Sequence, residues 1–200
     1  MDILSIFPFV SFLFLAISLV LRIVYLRRKG IKVSSKSGEK PKILVFFYPV
    51  FGLLFLVWLT EMASLAFQFS WSLFPEFVTK SRLNFSWLHY AGIILIFVSL
   101  VFWVFTLLDF RYSLRFGLDD KNQGELVTQG VFSQSRNPFF LSIILYFLGT
   151  ALVFLNWFFI GFAVLATISI HFFILKEEKF MMQHYGEKYR KYQQKVRRYL

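Results

Sequence analysis

Arg136, Glu177, Glu178 and His171 are the residues of this chain whose types and spacing suit chemistry. Arg136 precedes a long apolar tract, and the two glutamates follow it. A guanidinium takes a carboxylate or phosphate in a charge-assisted pair, and ionised glutamates take an ammonium or hydroxyls. Groups of both signs at the two ends of one tract therefore suit a small zwitterion. Asn137 and Pro138 read as the N-cap and first position of a helix. The unpaired N–H groups and dipole of such a helix start favour an anion beside Arg136. Neighbouring helical residues point about 100° apart, so Glu177 and Glu178 are no facing acid–base pair, yet they can reach two groups of one ligand. Alternatively they pair with Lys176 and Lys179 on a solvated turn. His171 lies seven residues before Glu178 on the same helical face. It either enters the same pocket or is hydrogen-bonded within a helix bundle.

Other polar residues carry less. Glu61 falls inside an apolar run, where a carboxylate is a functional candidate. Its depth, with Gln68 beyond it, reads instead as an interfacial residue reaching outer water. His89 and His184 read as surface-level residues. Three histidines without i, i+4 spacing make no metal site. GxGxxG, HExxH and GxSxG are absent, so a Rossmann or hydrolase mechanism has no support. Cysteine is absent as well, which excludes disulfides and thiolate metal sites.

The elements that must position these residues are membrane helices. Of 200 residues 58% are hydrophobic, 29 are Phe, and the mean hydropathy is +0.63. A soluble domain of this size cannot hide that much apolar surface. The net charge of +11 comes from bases flanking apolar runs, which points to topology and anionic lipid rather than to nucleic acid. Residues 3–21, 43–65 and 87–108 each suit one span, the second softened by Pro49 and Gly52. The first is no convincing signal peptide, because Asp2 replaces a basic start and no cleavage site follows. Residues 139–175 are too long for one span, and Asn156-Trp157 is the polar break that makes them a tight helical hairpin. The expectation is an all-α polytopic membrane helical bundle with five transmembrane helices. It forms a single domain over residues 1–200, with three N-terminal spans in 1–109 and the chemistry in 110–200.

Charge sets the expected topology. The first loop carries Arg22, Arg27, Arg28, Lys29, Lys32, Lys36, Lys40 and Lys42, and the third carries Arg111, Arg115, Lys121 and Arg136. The second loop has only Lys80 and Arg82. The positive-inside rule then places the N-terminus out and the C-terminus in the cytoplasm. In the tail, residues 176–200, Met182, Tyr185, Tyr189, Tyr192, Val196 and Tyr199 recur at steps of three and four. They form one face of an amphipathic helix that Gly186 interrupts. Such a helix lies on the inner leaflet or closes as a lid beside Arg136.

The order LVTQGVFSQSRNPFF, two apolar helices, then EEKFMMQHYGEKYRKYQQKV resembles the C-terminal half of the isoprenylcysteine carboxyl methyltransferase and phospholipid methyltransferase superfamily. The resemblance covers residues 110–198 through Leu126, Thr128, Gly130, Arg136, Asn137, Pro138, Glu177, Glu178, Tyr185, Gly186, Tyr189 and Tyr192. Phe132 and Phe140 replace usual tyrosines, Ser133 a frequent arginine, and Asn137 the histidine of the carboxyl methyltransferases. What the resemblance implies is an S-adenosylmethionine-dependent membrane methyltransferase acting on a lipid or lipidated substrate. Its site would lie at the cytoplasmic face of a plasma (inner) or ER membrane. Arg136 and the start at Asn137-Pro138 would hold the methionyl carboxylate, and Glu177 or Glu178 the ammonium or ribose. Gly130, Phe132, Phe140 and Tyr185 would complete the cofactor site, with an aromatic ring against the sulfonium.

An amine acceptor must lose a proton, for which His171 or Glu178 would serve; a carboxylate acceptor needs no base. Tyr189, Lys195 and Arg197 would meet the substrate, although headgroup-level snorkelling also explains the two bases. The substrate alternatives are a prenylated cysteine carboxylate and an aminophospholipid. The alternatives of another class are an NADPH-dependent sterol-type membrane reductase and a non-catalytic membrane scaffold.

Overall fold

The structure is a computed structural model describing residues 3–31, 33, 42–79, 86–114 and 124–200. Among the bases that set the expected topology, Lys32, Lys36, Lys40, Lys80, Arg82, Arg115 and Lys121 lie outside the described residues. The described residues hold α1 (Ile3–Arg28), α2 (Lys42–Phe67), a one-turn α3 (Glu76–Thr79), α4 (Ser86–Asp109), α5 (Pro138–Phe154), α6 (Trp157–Tyr185) and α7 (Glu187–Lys195), with no strand among them. A 3₁₀ turn, Gly130–Ser133, precedes α5.

Four helices, α1, α2, α4 and α6, are long and apolar enough to cross a membrane. The apolar tract after residue 138 does not divide evenly. It breaks at Leu155-Asn156, leaving 17 residues in α5 and 29 in α6. α6 is the longer because it runs past its apolar part, through Glu177 and Glu178, to Tyr185. α5 is the helix around which the others gather, touching α1, α4 and α6, with ten of its residues buried.

Apolar helices gain little from excluding lipid, so their association depends on close packing. The α4–α5 pair achieves this with small residues. A Cβ at Gly92 would lie 2.7 Å from the Gly149 carbonyl oxygen, and one at Gly149 2.8 Å from that of Gly92. The Ser99 hydroxyl donates to the Ser142 carbonyl at 2.7 Å in the same seam. On the other side of α5, Trp58 of α2 packs among Phe12, Tyr146, Phe147 and Phe162. The Tyr146 phenol donates to the Pro8 carbonyl at 2.7 Å, joining α5 to α1.

The hairpin turn is tied at both sides. Leu155 is left-handed (φ 44°), and Asn156 accepts from the Phe159 N–H at 2.9 Å as the N-cap of α6. The same side chain donates to the Thr79 carbonyl at 2.9 Å, and the Phe74 ring packs against that of Phe158, tilted by 32° with centroids 4.9 Å apart. Glu61 serves this end of the bundle, and here the structure corrects the sequence expectation. It does not reach outer water but is buried, accepting from the Leu73 N–H at 2.6 Å and the Ser72 hydroxyl at 3.0 Å. The loop after α2, turned by Gln68 (φ 55°), folds back over it.

Candidate active site

The opposite end of α5 is built from the end of α4 inward. Asp109 closes α4, and its carboxylate accepts from the Val131 N–H at 2.8 Å. Gly130 is left-handed (φ 63°), and any Cβ there would collide with that carboxylate. Glycine satisfies both demands at once, the backbone conformation and the close approach. The contact seats the 3₁₀ turn and delivers Phe132, Arg136 and the start of α5.

Pro138 takes the first helical position, as expected, but the Asn137 side chain makes no cap hydrogen bond. It turns to donate to Glu178 Oε1 at 3.1 Å and to the Arg198 carbonyl at 3.2 Å. Arg136 donates to Glu178 Oε1 through Nη2 at 3.0 Å and Nε at 3.3 Å, and through Nη1 to the carbonyls of Val196 (2.9 Å) and Gln193 (3.1 Å). A second guanidinium closes on the same carboxylate from the other side. Arg198 reaches Glu178 Oε2 through Nη2 at 2.9 Å and Nε at 3.2 Å. Glu178 is buried, so a carboxylate clamped by two cations and an amide meets the condition for keeping a charge out of water. The anion that Arg136 holds in this structure is therefore Glu178 itself.

The clamp depends on the tail turning back. Gly186 (φ 53°) ends α6 and starts α7, whose Tyr189 and Tyr192 are buried. The Tyr192 phenol donates to the Phe132 carbonyl at 2.6 Å. Burial pushes both phenols up from their ordinary value, so they stay neutral donors. Beyond α7 the chain forms a strap. Its Arg197 carbonyl accepts from the Arg136 N–H at 3.0 Å, and the Tyr199 hydroxyl meets His171 Nδ1 at 2.7 Å. Hydrogen bonds to Glu178 push the Arg198 guanidinium up. The aromatic stripe of the tail thus packs onto the segment before α5 rather than lying apart as a free amphipathic helix.

Between these parts is a cavity of about 210 Å³. Of the residues expected at a site, Phe132, Arg136, Asn137, Pro138, Phe140, Glu177, Glu178, Tyr185 and Tyr189 line it. Gly130, His171, Lys195 and Arg197 are not among its lining. Gly130 sits against Asp109, His171 clasps Tyr199, and Lys195 and Arg197 are exposed. Glu177 differs from its neighbour. It is half-buried, lines the cavity, and has no hydrogen-bond or ion-pair partner among the described residues. Arg136 is the one cationic side chain in the lining among the described residues.

Sequence reasoning missed Phe173 and Phe180 in the cavity wall and Arg198 as a partner of Glu178. The first two carried a signal, since residues 173, 177 and 180 share one helical face. Arg198 carried none, because its approach depends on the chain reversal at Gly186 and the strap beyond.

The phospholipid methyltransferase family model matches residues 87–188, half of the chain, from the start of α4 into α7. No curated protein matches the chain. The match takes in the α4–α5 seam, the turn after Asp109, Arg136 and both glutamates; Arg198 and Tyr199 lie beyond it.

Proposed function

The chain belongs to the phospholipid methyltransferase family, and on that premise we propose that it transfers a methyl group from S-adenosylmethionine to the amine headgroup of a membrane lipid. The observation that carries the reading is Glu177, a half-buried carboxyl without a partner among the described residues, lining a cavity in which the one guanidinium among those residues is already engaged by Glu178. Such a cavity suits cations. The rings of Phe140, Phe173 and Tyr185, which line the same cavity as Glu177, add π faces of the kind that stabilise a sulfonium or ammonium. The donor set therefore fits the cofactor. When bound, S-adenosylmethionine supplies the methyl group as an electrophile on its sulfonium.

An ammonium headgroup must lose a proton before its nitrogen can attack. Glu177 takes that proton, leaving the lone pair free to form the N–CH₃ bond. Glu178 cannot do so without leaving two guanidiniums unmatched, so Arg136, Glu178 and Arg198 act as the frame that fixes α5, α6 and the strap around the reacting groups. His171, with Tyr199, fastens the strap. Phe132, Phe140 and Tyr185 wall the cofactor, and Tyr189 backs them. Methylation of a prenylcysteine carboxylate would call for an unengaged cation near the acceptor. Among the described residues the cavity lining holds none, which favours the amine.

We place α5 as a fifth span, with the N-terminus out and the C-terminus and active site on the cytoplasmic side. Support comes from the gathering of bases at one end. Arg27 and Arg28 end α1, Arg22 of the same helix donates to the Arg111 carbonyl after α4, and the basic tail closes the same end.

The test is methyl transfer from labelled S-adenosylmethionine by detergent-purified protein to phosphatidylethanolamine and, separately, to a prenylated cysteine peptide. Label on the amine is expected, with Glu177→Gln lowering the rate about a hundredfold and leaving the melting temperature within a degree or two. Label on the carboxylate, or an undiminished rate in Glu177→Gln, would overturn the assignment. Stabilisation by NADPH in place of S-adenosylhomocysteine would turn it towards a reductase.

A further inference from the structure

Where the ends of α1 and α4 meet, a second polar group forms, and none of its residues lines the cavity around Glu177. Ser18, Arg22, Tyr25 and Lys29 recur at steps of three and four, so they share one face of α1. That face meets α4. Trp103 Nε1 donates to the Ser18 hydroxyl at 2.9 Å, and one turn further along α1 the Arg22 Nη2 donates to the Arg111 carbonyl. The Arg22 guanidinium lies 5.5 Å from the centroid of the Tyr25 ring, and the Arg111 side chain beside it is exposed. We propose that Arg22 and Arg111 hold the phosphate of an anionic phospholipid, a resident lipid distinct from any methyl acceptor. The site stands whether or not the chain transfers methyl groups.

The charge of Arg22 is only partly met. One of its five N–H donors is used, and its Nε is buried without a hydrogen-bond partner among the described residues. A cation withdrawn from water needs a paired anion, and no acid supplies one. Among the described residues Arg22, Arg27, Arg28, Lys29 and Arg111 have no ion-pair partner. Asp109, two residues before Arg111, is engaged by the Val131 N–H instead. A phosphate fits the vacancy, because its oxygens accept from a guanidinium fork. Depth assigns that phosphate to a lipid. The apolar run 3–21 rises about 28 Å, close to the hydrocarbon thickness of a bilayer, so Arg22 sits at its boundary, level with lipid phosphates. Charge assigns it to an anionic lipid. A zwitterionic headgroup brings its own ammonium among five cations and leaves their charge uncompensated, whereas an anionic one offsets it.

The experiment is native mass spectrometry of the full chain in detergent, titrated with phosphatidylglycerol, phosphatidylethanolamine or inorganic phosphate. One phosphatidylglycerol per chain is expected to be retained in preference to phosphatidylethanolamine. Arg22→Gln and Arg111→Gln should each weaken it about tenfold. Lys191→Gln, which removes an exposed base from α7, should leave it unchanged. Arg111→Gln keeps the carbonyl that Arg22 uses and alters an exposed side chain, so it tests the site even where Arg22→Gln disturbs folding. Equal retention of the two lipids, or an equal loss in Arg111→Gln and Lys191→Gln, would overturn the site in favour of unspecific surface charge. Displacement of the lipid by millimolar inorganic phosphate would overturn it in favour of a soluble anion.

Discussion

Glu61 and Glu178 are both buried carboxylates on membrane-length helices, at opposite ends of the α5–α6 pair, and they are satisfied in opposite ways. Glu61 accepts from a hydroxyl and a backbone N–H of a loop only 11 and 12 residues further on, with no cation paired to it among the described residues. Glu178 accepts from two guanidiniums and an amide drawn from segments 20 to 42 residues away. A carboxylate capping its own loop stabilises that loop and little else. One that gathers the start of α5, the end of α6 and the strap makes those three segments a single unit. The difference explains why only one of the two ends suits chemistry. The charged clamp leaves Glu177, the adjacent residue, lining a cavity with no partner among the described residues, whereas Glu61 is satisfied by the loop that follows its own helix.

Substitutions can break this contrast. Glu178→Ala strands Arg136, which is 10% exposed, and Arg198. It is expected to cost about 3 kcal/mol, with a matching fall in the denaturation midpoint in detergent and loss of S-adenosylhomocysteine binding. A variant of normal stability would mean that the strap holds without its anion. Glu61→Gln keeps one acceptor oxygen for the Leu73 N–H and presents an amide donor to Ser72, whose hydroxyl can turn to accept, and should cost about 1–2 kcal/mol. Its cofactor affinity should stay at the wild-type value; a change would show that the two ends are coupled through α5. Arg198→Ala, whose guanidinium is 35% exposed, should cost about 1 kcal/mol or less. Limited proteolysis of that variant should cut the strap sooner while the α5–α6 hairpin stays intact. A cut in the hairpin first would assign the clamp a different task.

Much of the fold was legible beforehand because lipid imposes length and composition on a helix. The runs ending near residues 21, 65 and 108 and the break at Asn156 needed no tertiary information. Within the site, Arg136 and Glu178 were legible as types, and an interruption at Gly186 was legible from its position in a periodic stripe, but not the path that the chain takes after it. The uneven division of the hairpin was not, because hydropathy ends at Leu175 while the backbone hydrogen bonds of α6 continue through charged residues. Nor was the turning of Asn137 away from its capping role, since Glu178 and the Arg198 carbonyl outcompete a local N–H for its amide.

By itself, then, the sequence determined that this is a helical membrane protein with a cation before one apolar tract and two acids after it. Composition, period and the flanking of apolar runs by bases act over a few turns at most, and they need no partner segment. Only the tertiary structure decided that Arg136 and Arg198 close on Glu178 and not on Glu177. Adjacent residues on a helix face different neighbours. Which one is clamped and which is left to face the cavity depends on where the strap returns, a matter of packing between segments far apart in the chain.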